Sequence, residues 1–484
     1  MVFSSHIFLF YFLPAALLLY YLAPHRGKHL LLTIISYGFY GWTNPLFMGL
    51  MLFSTLVDYV CGLLLAYDSF RWNGPIDTLD PEKPRTRFQR TALVISLTSN
   101  LCLLGFFKYF NFGVENINWL SEILGLPWLR LDLAFKVTLP LGISFYTFQS
   151  MSYAIDVYRG EAKAMRSFID FACYVSMFPQ LVAGPIIRFQ DVADQLVQRT
   201  YTFAKFSRGV AFMSLGLAKK ILLANPCGKV ADVVFDAASA TTADAWYGVV
   251  AYAFQIYFDF SGYSDMAIGM GLMLGFVFAK NFDSPYRSKS ITEFWRRWHL
   301  SLSTWLRDNL YFPLGGNRKG TIRTYINLAA VMLLGGLWHG AAWNFIIWGG
   351  IHGFFLAFER ALGKQSLYHR LPDPVRVSIT FLIVLVSWVF FRSPDLASAV
   401  HYLGRMAGFG AASENAALIG GIIYQPYYLA TMVLAAFITW RMPQTWDWTR
   451  SISGGKAILI ILLMLLSLAI LATQAYNPFI YFIF

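Results

Sequence analysis

Buried histidine is the residue type in this chain best suited to chemistry. His339 lies in the apolar run LLGGLWHGAAWNFIIWGGIHG, residues 333–353. An ionisable side chain is costly at membrane depth, and where one occurs it usually faces a cavity or a pathway. Because histidine titrates near neutral pH, it can take and return a proton during a reaction. We therefore predict that His339 is catalytic, and His299 is the second candidate for proton transfer.

A structural role stays open for each histidine, since a lone histidine in a membrane helix can simply hydrogen-bond a neighbouring helix. His352 is a weaker candidate because it follows His339 by thirteen residues. At about 100° per residue, the two would face different sides of a single helix. The sequence has no HExxH or related spacing of ligands, so we predict no metal site. The cysteines are far apart and are predicted to be core residues: Cys61, Cys102, Cys173 and Cys227.

The segment ITEFWRRWHLSLSTWLRDNLYFPLGGNRKG, residues 291–320, places aromatic and basic side chains around His299. One interpretation is an interfacial amphipathic helix, with tryptophans at headgroup depth and arginines reaching the headgroups. The other is a mouth for an anionic ligand, where cationic side chains and backbone N–H groups hold phosphates. The predicted phosphate ligands are Arg296, Arg297, Arg307, Arg318, Lys319 and the N–H groups of Gly315 and Gly316.

Two carboxylates and two glycines are predicted to support the site. Asp259 and Asp265 lie within the apolar run YFDFSGYSDM, where a carboxylate must be satisfied by partners or water. A structural role, such as pairing with arginines or capping a broken helix, is favoured over catalysis. Gly336 and Gly340 flank Trp338 and His339 at four-residue spacing, which suits close helix packing.

Composition shows what must position these residues. Of 484 residues, 57% are hydrophobic and only 13% are charged, whereas soluble domains have about 25% charged residues. Apolar stretches long enough to cross a bilayer recur along the chain, so we predict an all-α, polytopic membrane protein. The net charge of +12 comes from short basic clusters between apolar runs. Positive-inside bias explains them better than nucleic-acid binding.

The predicted topology has about eleven spans, starting from an uncleaved first helix. Positive charge follows that helix instead of preceding it, which predicts an N-terminus outside the cytoplasm. The following predicted spans include two helices separated at Asn44-Pro45, one over Thr91–Phe112 with an outer segment at Gly113–Leu133, and one within Ala245–Phe278. Pro179, Gly184 and Pro185 interrupt the run 171–187. Broken helices at membrane depth are tolerated beside a cavity, which predicts an internal chamber.

The motifs ITEFWRRWHLSLSTWLRD, LGGNRKG and LLGGLWHG resemble the signature of the membrane-bound O-acyltransferases. LPLGISFYTFQSMSYAIDVYRG, YFDFSGYSDMAIGMGLMLGF and the ending YNPFIYFIF are similar to the bacterial exopolysaccharide branch, whose systems acetylate alginate or cellulose. The resemblance covers nearly the whole chain. It implies a helical bundle around a central tunnel, a catalytic histidine in WHG, here His339, and a supporting one in RRWH, here His299. From the same motifs, Trp298, Asn317 and Trp338 join the predicted substrate-binding set.

The resemblance further implies an O-acetyltransferase of the bacterial inner membrane that passes an acetyl group from a cytoplasmic donor, acetyl-CoA, for O-acetylation of a secreted polysaccharide. No bound cofactor is expected; the expected partners are a periplasmic acetyltransferase subunit and membrane lipids. We predict one membrane domain over 1–484, with N-terminal helices in 1–112, a catalytic core in 137–365 and C-terminal helices in 375–484. The alternatives are a proton-coupled transporter, a non-catalytic scaffold of a secretion complex, and a lipid or D-alanyl acyltransferase.

Overall fold

Glycine and proline end the apolar runs of this chain and so set its helix boundaries. The computed structural model describes residues 2–363, 365–409 and 416–480. Within them the regular elements are all helical. The chain forms two compact units, the first made of Met1–Phe203 with Gly271–Phe278 and the second of Ala204–Met270 with Ala279–Phe484. The prediction of one domain with three sections stays a prediction.

The first unit contains mostly long apolar helices. The break predicted at Asn44-Pro45 is confirmed, since one helix ends at Gly41 and the next begins at Leu46. The interruptions predicted in 171–187 are also confirmed as two short helices. The helices of this unit are Ile7–Leu22, Lys28–Gly41, Leu46–Tyr67, Arg87–Leu124, Ile143–Arg159, Phe168–Ser176, Phe178–Leu181 and Phe189–Val197, with single 3₁₀ turns at His25–Gly27 and Pro127–Leu129.

One helix is longer than the apolar pattern predicts. It runs over Arg87–Leu124, so the predicted end at Phe112 is wrong. Thr86 accepts a hydrogen bond from the Gln89 N–H, and the Gln89 side chain accepts one from the Thr86 N–H, which starts the helix four residues early. Gly125, at a φ of 64°, ends it. Cys102 on this helix is exposed, so its assignment to the core is wrong.

The second unit contains the two candidate catalytic histidines. Its helices are Phe203–Phe235, Thr242–Met273, Ile291–Trp295, Leu300–Leu306, Arg307–Tyr311, Thr321–His339, Trp343–Ala361, Asp373–Arg392, Leu396–Met406, Ala416–Ile423, Pro426–Arg441, Thr445–Trp448 and Gly454–Thr473, with a 3₁₀ turn at Pro285–Arg287. Lys219–Ala224 and Arg307–Tyr311 are π-helical. The helical segment Phe203–Phe235 continues through Lys219 and Lys220, at which its π-helical stretch begins.

Five helices of the described residues are long and apolar enough to cross a membrane: Leu46–Tyr67, Arg87–Leu124, Phe203–Phe235, Asp373–Arg392 and Gly454–Thr473. Ile7–Leu22 is a shorter apolar helix. Because a crossing needs about 20 mostly apolar residues, these segments fit a multi-pass protein. The total of eleven spans stays a prediction.

Glycines bring the helix that carries His339 against the next helix. Thr321–His339 and Trp343–Ala361 form the most extensively packed helix pair. A methyl group added at Gly336 would lie 2.2 Å from the Phe345 carbonyl oxygen, and one at Gly349 would lie 2.2 Å from the Met332 carbonyl oxygen. Gly336 and Gly349 therefore each admit backbone from the other helix. Gly340, the second glycine of the predicted pair, follows the end of the helix, and a methyl group there would meet the Phe345 ring instead of backbone.

Candidate active site

His339 is the last residue of its helix and lies in an aromatic cage. Its side chain is 8% exposed. Its ring centroid lies 4.9 Å from that of Trp338, 5.2 Å from that of Trp348 and 5.2 Å from that of Phe391, in edge-on arrangements. The backbone turns to an extended conformation at Gly340, where a methyl group would lie 2.2 Å from the Phe345 ring. The helix end and the aromatic rings therefore define where the imidazole sits.

Two cavities meet the His339 side chain. The larger has a volume of about 410 Å³ and is also lined by Arg296 and Arg307 and by the hydroxyl residues Ser303 and Thr304. That volume lies in the range of about 300–1,000 Å³ typical of ligand sites. The smaller has about 10 Å³ and is lined, besides His339, by Ile256, Phe260, Trp298, Trp348, Trp388, Phe391 and Ile480. His339 thus lines both a roomy cavity with mixed polar and apolar walls and a small apolar one.

His299 is held by hydrogen bonds. It is fully buried and lies in the turn between two short helices, with a left-handed backbone at φ 45° and ψ 55°. Its Nδ1 lies 3.3 Å from Asn281 Oδ1 and 3.3 Å from Ser301 Oγ. The Ser301 hydroxyl donates to Asn281 Oδ1 at 2.9 Å, and Asn281 Nδ2 donates to Ser264 Oγ at 3.0 Å.

This network assigns the tautomer of the His299 ring. Because Asn281 presents its carbonyl oxygen to Nδ1, the proton of a neutral ring lies on Nδ1. Burial lowers the pKa of His299 to about 3, so the ring is neutral. Nε2 is then an acceptor, and it is buried without a hydrogen-bond partner among the described residues. The arrangement leaves one ring nitrogen able to accept a proton or a hydrogen bond.

Trp338 lies between the two histidines. Its ring centroid is 6.0 Å from that of His299 and 4.9 Å from that of His339. Trp298 packs on Trp388 at 5.1 Å and lines the small cavity with His339. The two tryptophans of the predicted substrate-binding set are therefore buried among the aromatic side chains of the site.

His352 is the third histidine of this region. It lies on the helix that follows that of His339, so the two histidines do not share one helix. Its ring is 5.0 Å from the Trp348 ring, which also packs on His339. His352 Nε2 lies 3.0 Å from Ser387 Oγ. It is fully buried and supports the tryptophan that forms one wall of the His339 cage.

The predicted basic residues fall into distinct environments. Arg296 is exposed, lines the large cavity and has no carboxylate partner among the described residues. Arg307 lines the same cavity and contacts the neighbouring Asp308 carboxylate at 2.6 Å. Arg297 is paired with Glu293 at 2.7 Å, donates to the Asp283 carbonyl at 3.0 Å and is not among the residues that line this cavity. Arg296 and Arg307 are therefore the cations best placed to meet an anionic ligand in the large cavity.

The glycine-rich turn after this segment is exposed. Asn317, Arg318 and Lys319 all lie on the surface. The N–H groups of Gly315 and Gly316 donate to the carbonyls of Phe312 and Tyr311, each at 2.9 Å, so they are already satisfied within the turn. The remaining candidates in this turn for contact with an anion are its exposed side chains.

Asp259 belongs to a buried ion pair that holds the C-terminal segment. Its carboxylate lies 2.9 Å from Lys220 Nζ, with both side chains at most 3% exposed. The same carboxylate accepts the Ile480 N–H at 2.9 Å, and Lys220 Nζ donates to the Pro478 carbonyl. The structural role predicted for Asp259 has this geometry, although its cationic partner is a lysine and not an arginine. The pair fixes Ile480, a wall residue of the small cavity.

Asp265 makes the second lysine pair of the same two helices. It lies 2.6 Å from Lys219 Nζ and also accepts the Thr445 hydroxyl at 2.7 Å. The helices approach closely here, since a methyl group at Gly216 would lie 2.5 Å from the Gly262 carbonyl oxygen. Asp265 lines a small polar pocket that also contains Asn281, the residue that orients His299.

The sequence patterns did not identify several residues of the site. Asn281, Ser301 and Trp348 are ordinary polar or aromatic residues that no spacing singles out, and their contacts with His299 and His339 depend on how the chain folds around the site. Glu359 is another: its buried carboxylate accepts the N–H groups of Ile291 and Thr292 at 2.8 and 2.9 Å. A buried carboxylate in an apolar run was the signal that could have drawn attention to it.

The comparisons with known proteins cover this region. The model of the membrane-bound O-acyltransferase family matches residues 77–393. The chain is 46% identical to a probable alginate O-acetylase of Pseudomonas putida over the full length of both. It is 34% identical to a peptidoglycan O-acetyltransferase of Helicobacter pylori, over 85% of this chain and 81% of the relative. It is 28% identical to a teichoic acid D-alanyltransferase of Streptococcus thermophilus, over 52% and 68%. The three histidines all lie within the matched range.

Proposed function

The chain belongs to the membrane-bound O-acyltransferase family and is a multi-pass membrane O-acyltransferase, and from that premise we propose that it transfers acetyl groups from acetyl-CoA for O-acetylation of a secreted exopolysaccharide. One observation carries the proposal: His339 lines both a large cavity with two arginines and a small apolar cavity. The large cavity suits a phosphate-bearing donor, and the small one has room for about one methyl group. Similarity to alginate and peptidoglycan O-acetylating proteins supports acetyl as the group.

His339 is the proposed general base. The acceptor hydroxyl oxygen attacks the thioester carbonyl carbon as its proton passes to the imidazole. The carbon–sulfur bond then breaks, and the imidazolium returns the proton to the leaving sulfur, which gives an O-acetyl ester and a free thiol. General acid–base catalysis of this kind contributes roughly 10²–10⁴-fold. His339 has three aromatic neighbours that fix its orientation for both proton steps.

His299 is the proposed positioning residue. Its Nδ1 is held by Asn281 and Ser301, and its Nε2 is the acceptor. Trp338, between the two rings, transmits the position of His299 to His339 by packing. A misplacement of about 1 Å at a reacting group can cost roughly 10²-fold in rate, so such indirect support matters.

The donor phosphates are proposed to meet Arg296 and Arg307, with Arg318 and Lys319 in the adjacent exposed turn. Guanidinium groups bind phosphate through paired, charge-assisted hydrogen bonds. Asn317, Trp298 and Trp338 complete the proposed substrate-binding set. Arg297 forms an ion pair with Glu293, so its proposed role is to hold the conformation of the segment that carries Arg296.

The donor is proposed to enter from the cytoplasm and the acceptor from the periplasm, in a bacterial inner membrane with the N-terminus in the periplasm. Basic clusters near the donor cavity fit the positive-inside bias of that orientation. The proposed acceptor is a hydroxyl on a periplasmic acetyltransferase partner or on the polymer itself, alginate or cellulose. The acetyl group would cross the membrane while the bulky donor stays on its own side.

The test uses purified protein in nanodiscs with radiolabelled acetyl-CoA and compares thioester consumption by the wild type with that by His339→Ala. We expect the variant to lose at least roughly 10²-fold. His352→Ala is the matched control, since that histidine packs on the same Trp348. Equal turnover in the wild type and His339→Ala, with polymer acetylation intact in cells, would favour the scaffold alternative. Turnover of a D-alanyl or acyl-carrier donor but not of acetyl-CoA would reject the donor.

A further inference from the structure

The small cavity beside His339 has room for a single small group. Its volume is about 10 Å³, close to the roughly 10–15 Å³ that one water-sized sphere requires. Apart from the His339 ring, its walls are aliphatic and aromatic side chains. A cavity with apolar walls holds a hydrocarbon group more favourably than water. The void is therefore suited to about one methyl group next to the imidazole.

We propose that this void is the acyl pocket of the enzyme, that it takes the methyl of a two-carbon acyl group, and that Ile256 sets this limit. The inference rests on the proposed function, since it assumes that the acyl carbonyl reacts beside His339. With the methyl in the void, the carbonyl carbon lies between the void and the large cavity, which His339 also lines. Each further methylene of a longer acyl chain would have to displace a wall side chain.

Ile256 is the wall residue best able to tune the length of the pocket. The remaining walls are rigid rings, apart from Ile480 of the anchored C-terminal segment. Ile256 lies within the helix Thr242–Met273 and is 4% exposed, so shortening it enlarges the void without freeing a chain end. Protein interiors relax only partly around a removed side chain, and so the added space remains available to a ligand.

The experiment measures kcat/KM for acetyl-CoA, propionyl-CoA and butyryl-CoA, and in parallel hydrolysis of the matching p-nitrophenyl esters, with the His339→Ala rate subtracted. We expect the wild type to prefer acetyl over propionyl by roughly 10–200-fold, the range for one methylene in an apolar pocket. Ile256→Ala should raise the propionyl-to-acetyl ratio at least tenfold. Ile256→Val, which removes one carbon and is milder for the fold, should shift the ratio in the same direction by a smaller factor.

Ile268→Ala is the matched control. Ile268 lies on the same helix and is buried to 2% exposure, but it lines the polar pocket near Asn281 instead of the void. It should lower thermal stability like Ile256→Ala and leave the ratio of acyl donors unchanged.

The two ester series separate failure of the pocket from failure of the donor. If both Ile256 variants keep the wild-type ratio on both series, the void does not hold the acyl chain and the proposal is overturned. If the ratio shifts on p-nitrophenyl esters while no CoA thioester is consumed, the acyl pocket stands and acetyl-CoA is rejected as donor. If no ester of either kind reacts in a His339-dependent manner, the acyl pocket is rejected together with the chemistry it serves.

Discussion

The two candidate catalytic histidines are held by different means. His339 is surrounded by rings and lines two cavities, whereas His299 is fully buried and held through Asn281 and Ser301. Aromatic walls hold a ring by packing, while a hydrogen-bond network fixes a ring and its tautomer. The difference supports the proposed roles, in which His339, which lines both cavities, contacts the substrate and His299 orients the site. The rings around His339 form an apolar side of the site, and the hydrogen-bond network around His299 forms a polar one.

Replacing each histidine by glutamine is the strongest test of that division. His339→Gln should lower kcat by roughly 10²–10⁴-fold, because the base is lost. His299→Gln should lower it by roughly 10–100-fold, because positioning is impaired while the base remains. Turnover in nanodiscs and thermal unfolding would be measured for both. A larger loss at His299 than at His339 would reverse the assignment.

The two aspartate–lysine pairs should differ in their contribution to stability, because the Asp259–Lys220 pair is buried more deeply than the Asp265–Lys219 pair. Asp259→Ala leaves Lys220 buried without its carboxylate and should cost about 3–5 kcal/mol of stability. Asp265→Ala should cost less, since the side chains of the Asp265–Lys219 pair are 12% and 15% exposed. Denaturant or thermal unfolding in detergent gives both values. The double variant Asp259→Leu with Lys220→Met is the control and should recover most of the loss, and equal costs for the two single variants would contradict the burial argument.

A methyl group added at Gly336, on the helix that carries His339, should disturb the packing around His339 and leave that around His299 unchanged. Gly336→Ala places a methyl 2.2 Å from the Phe345 carbonyl oxygen, and such overpacking should cost about 1–3 kcal/mol. Gly335→Ala is the neighbouring control, because its methyl would meet only a Leu306 methyl at 3.5 Å. The control should be neutral or stabilising by about 0.5–1 kcal/mol. Thermal unfolding and turnover would be compared, and equal effects would show that the helix contact is not tight.

Removing the amide that orients His299 should have the smallest effect of the four. Asn281→Ala removes the carbonyl acceptor of His299 Nδ1 and leaves it the Ser301 hydroxyl. It should cost about 1–2 kcal/mol of stability, with kcat reduced about tenfold and KM little changed. Asn100→Ala, in the buried network around Asp58 of the first unit, is the control for losing a buried amide. It should lower stability without that change in kcat. An unchanged kcat in Asn281→Ala would remove the orienting role.

The sequence predicts the parts of this fold that are local. The first helices end at their proline and glycine signals, and the motif around His339 lies at a helix end beside cavities. The extension of Arg87–Leu124 was missed because its later turns are too polar for an apolar-span criterion. The Asp259–Lys220 pair, the support of His299 by Asn281 and the packing of Trp348 on Trp388 join separate segments. No spacing along the chain encodes such contacts, because helix packing creates them.

The left-handed backbone at His299 has a further consequence. For an L-residue with a Cβ this conformation costs roughly 1–2 kcal/mol, which glycine would not incur. The surrounding structure must over-determine a residue held this way, and such strain is characteristic of functional sites. The turn would be easier to form without a side chain at residue 299. The fold therefore tolerates an unfavourable backbone conformation at residue 299, and it thereby keeps an imidazole ring in a fixed position.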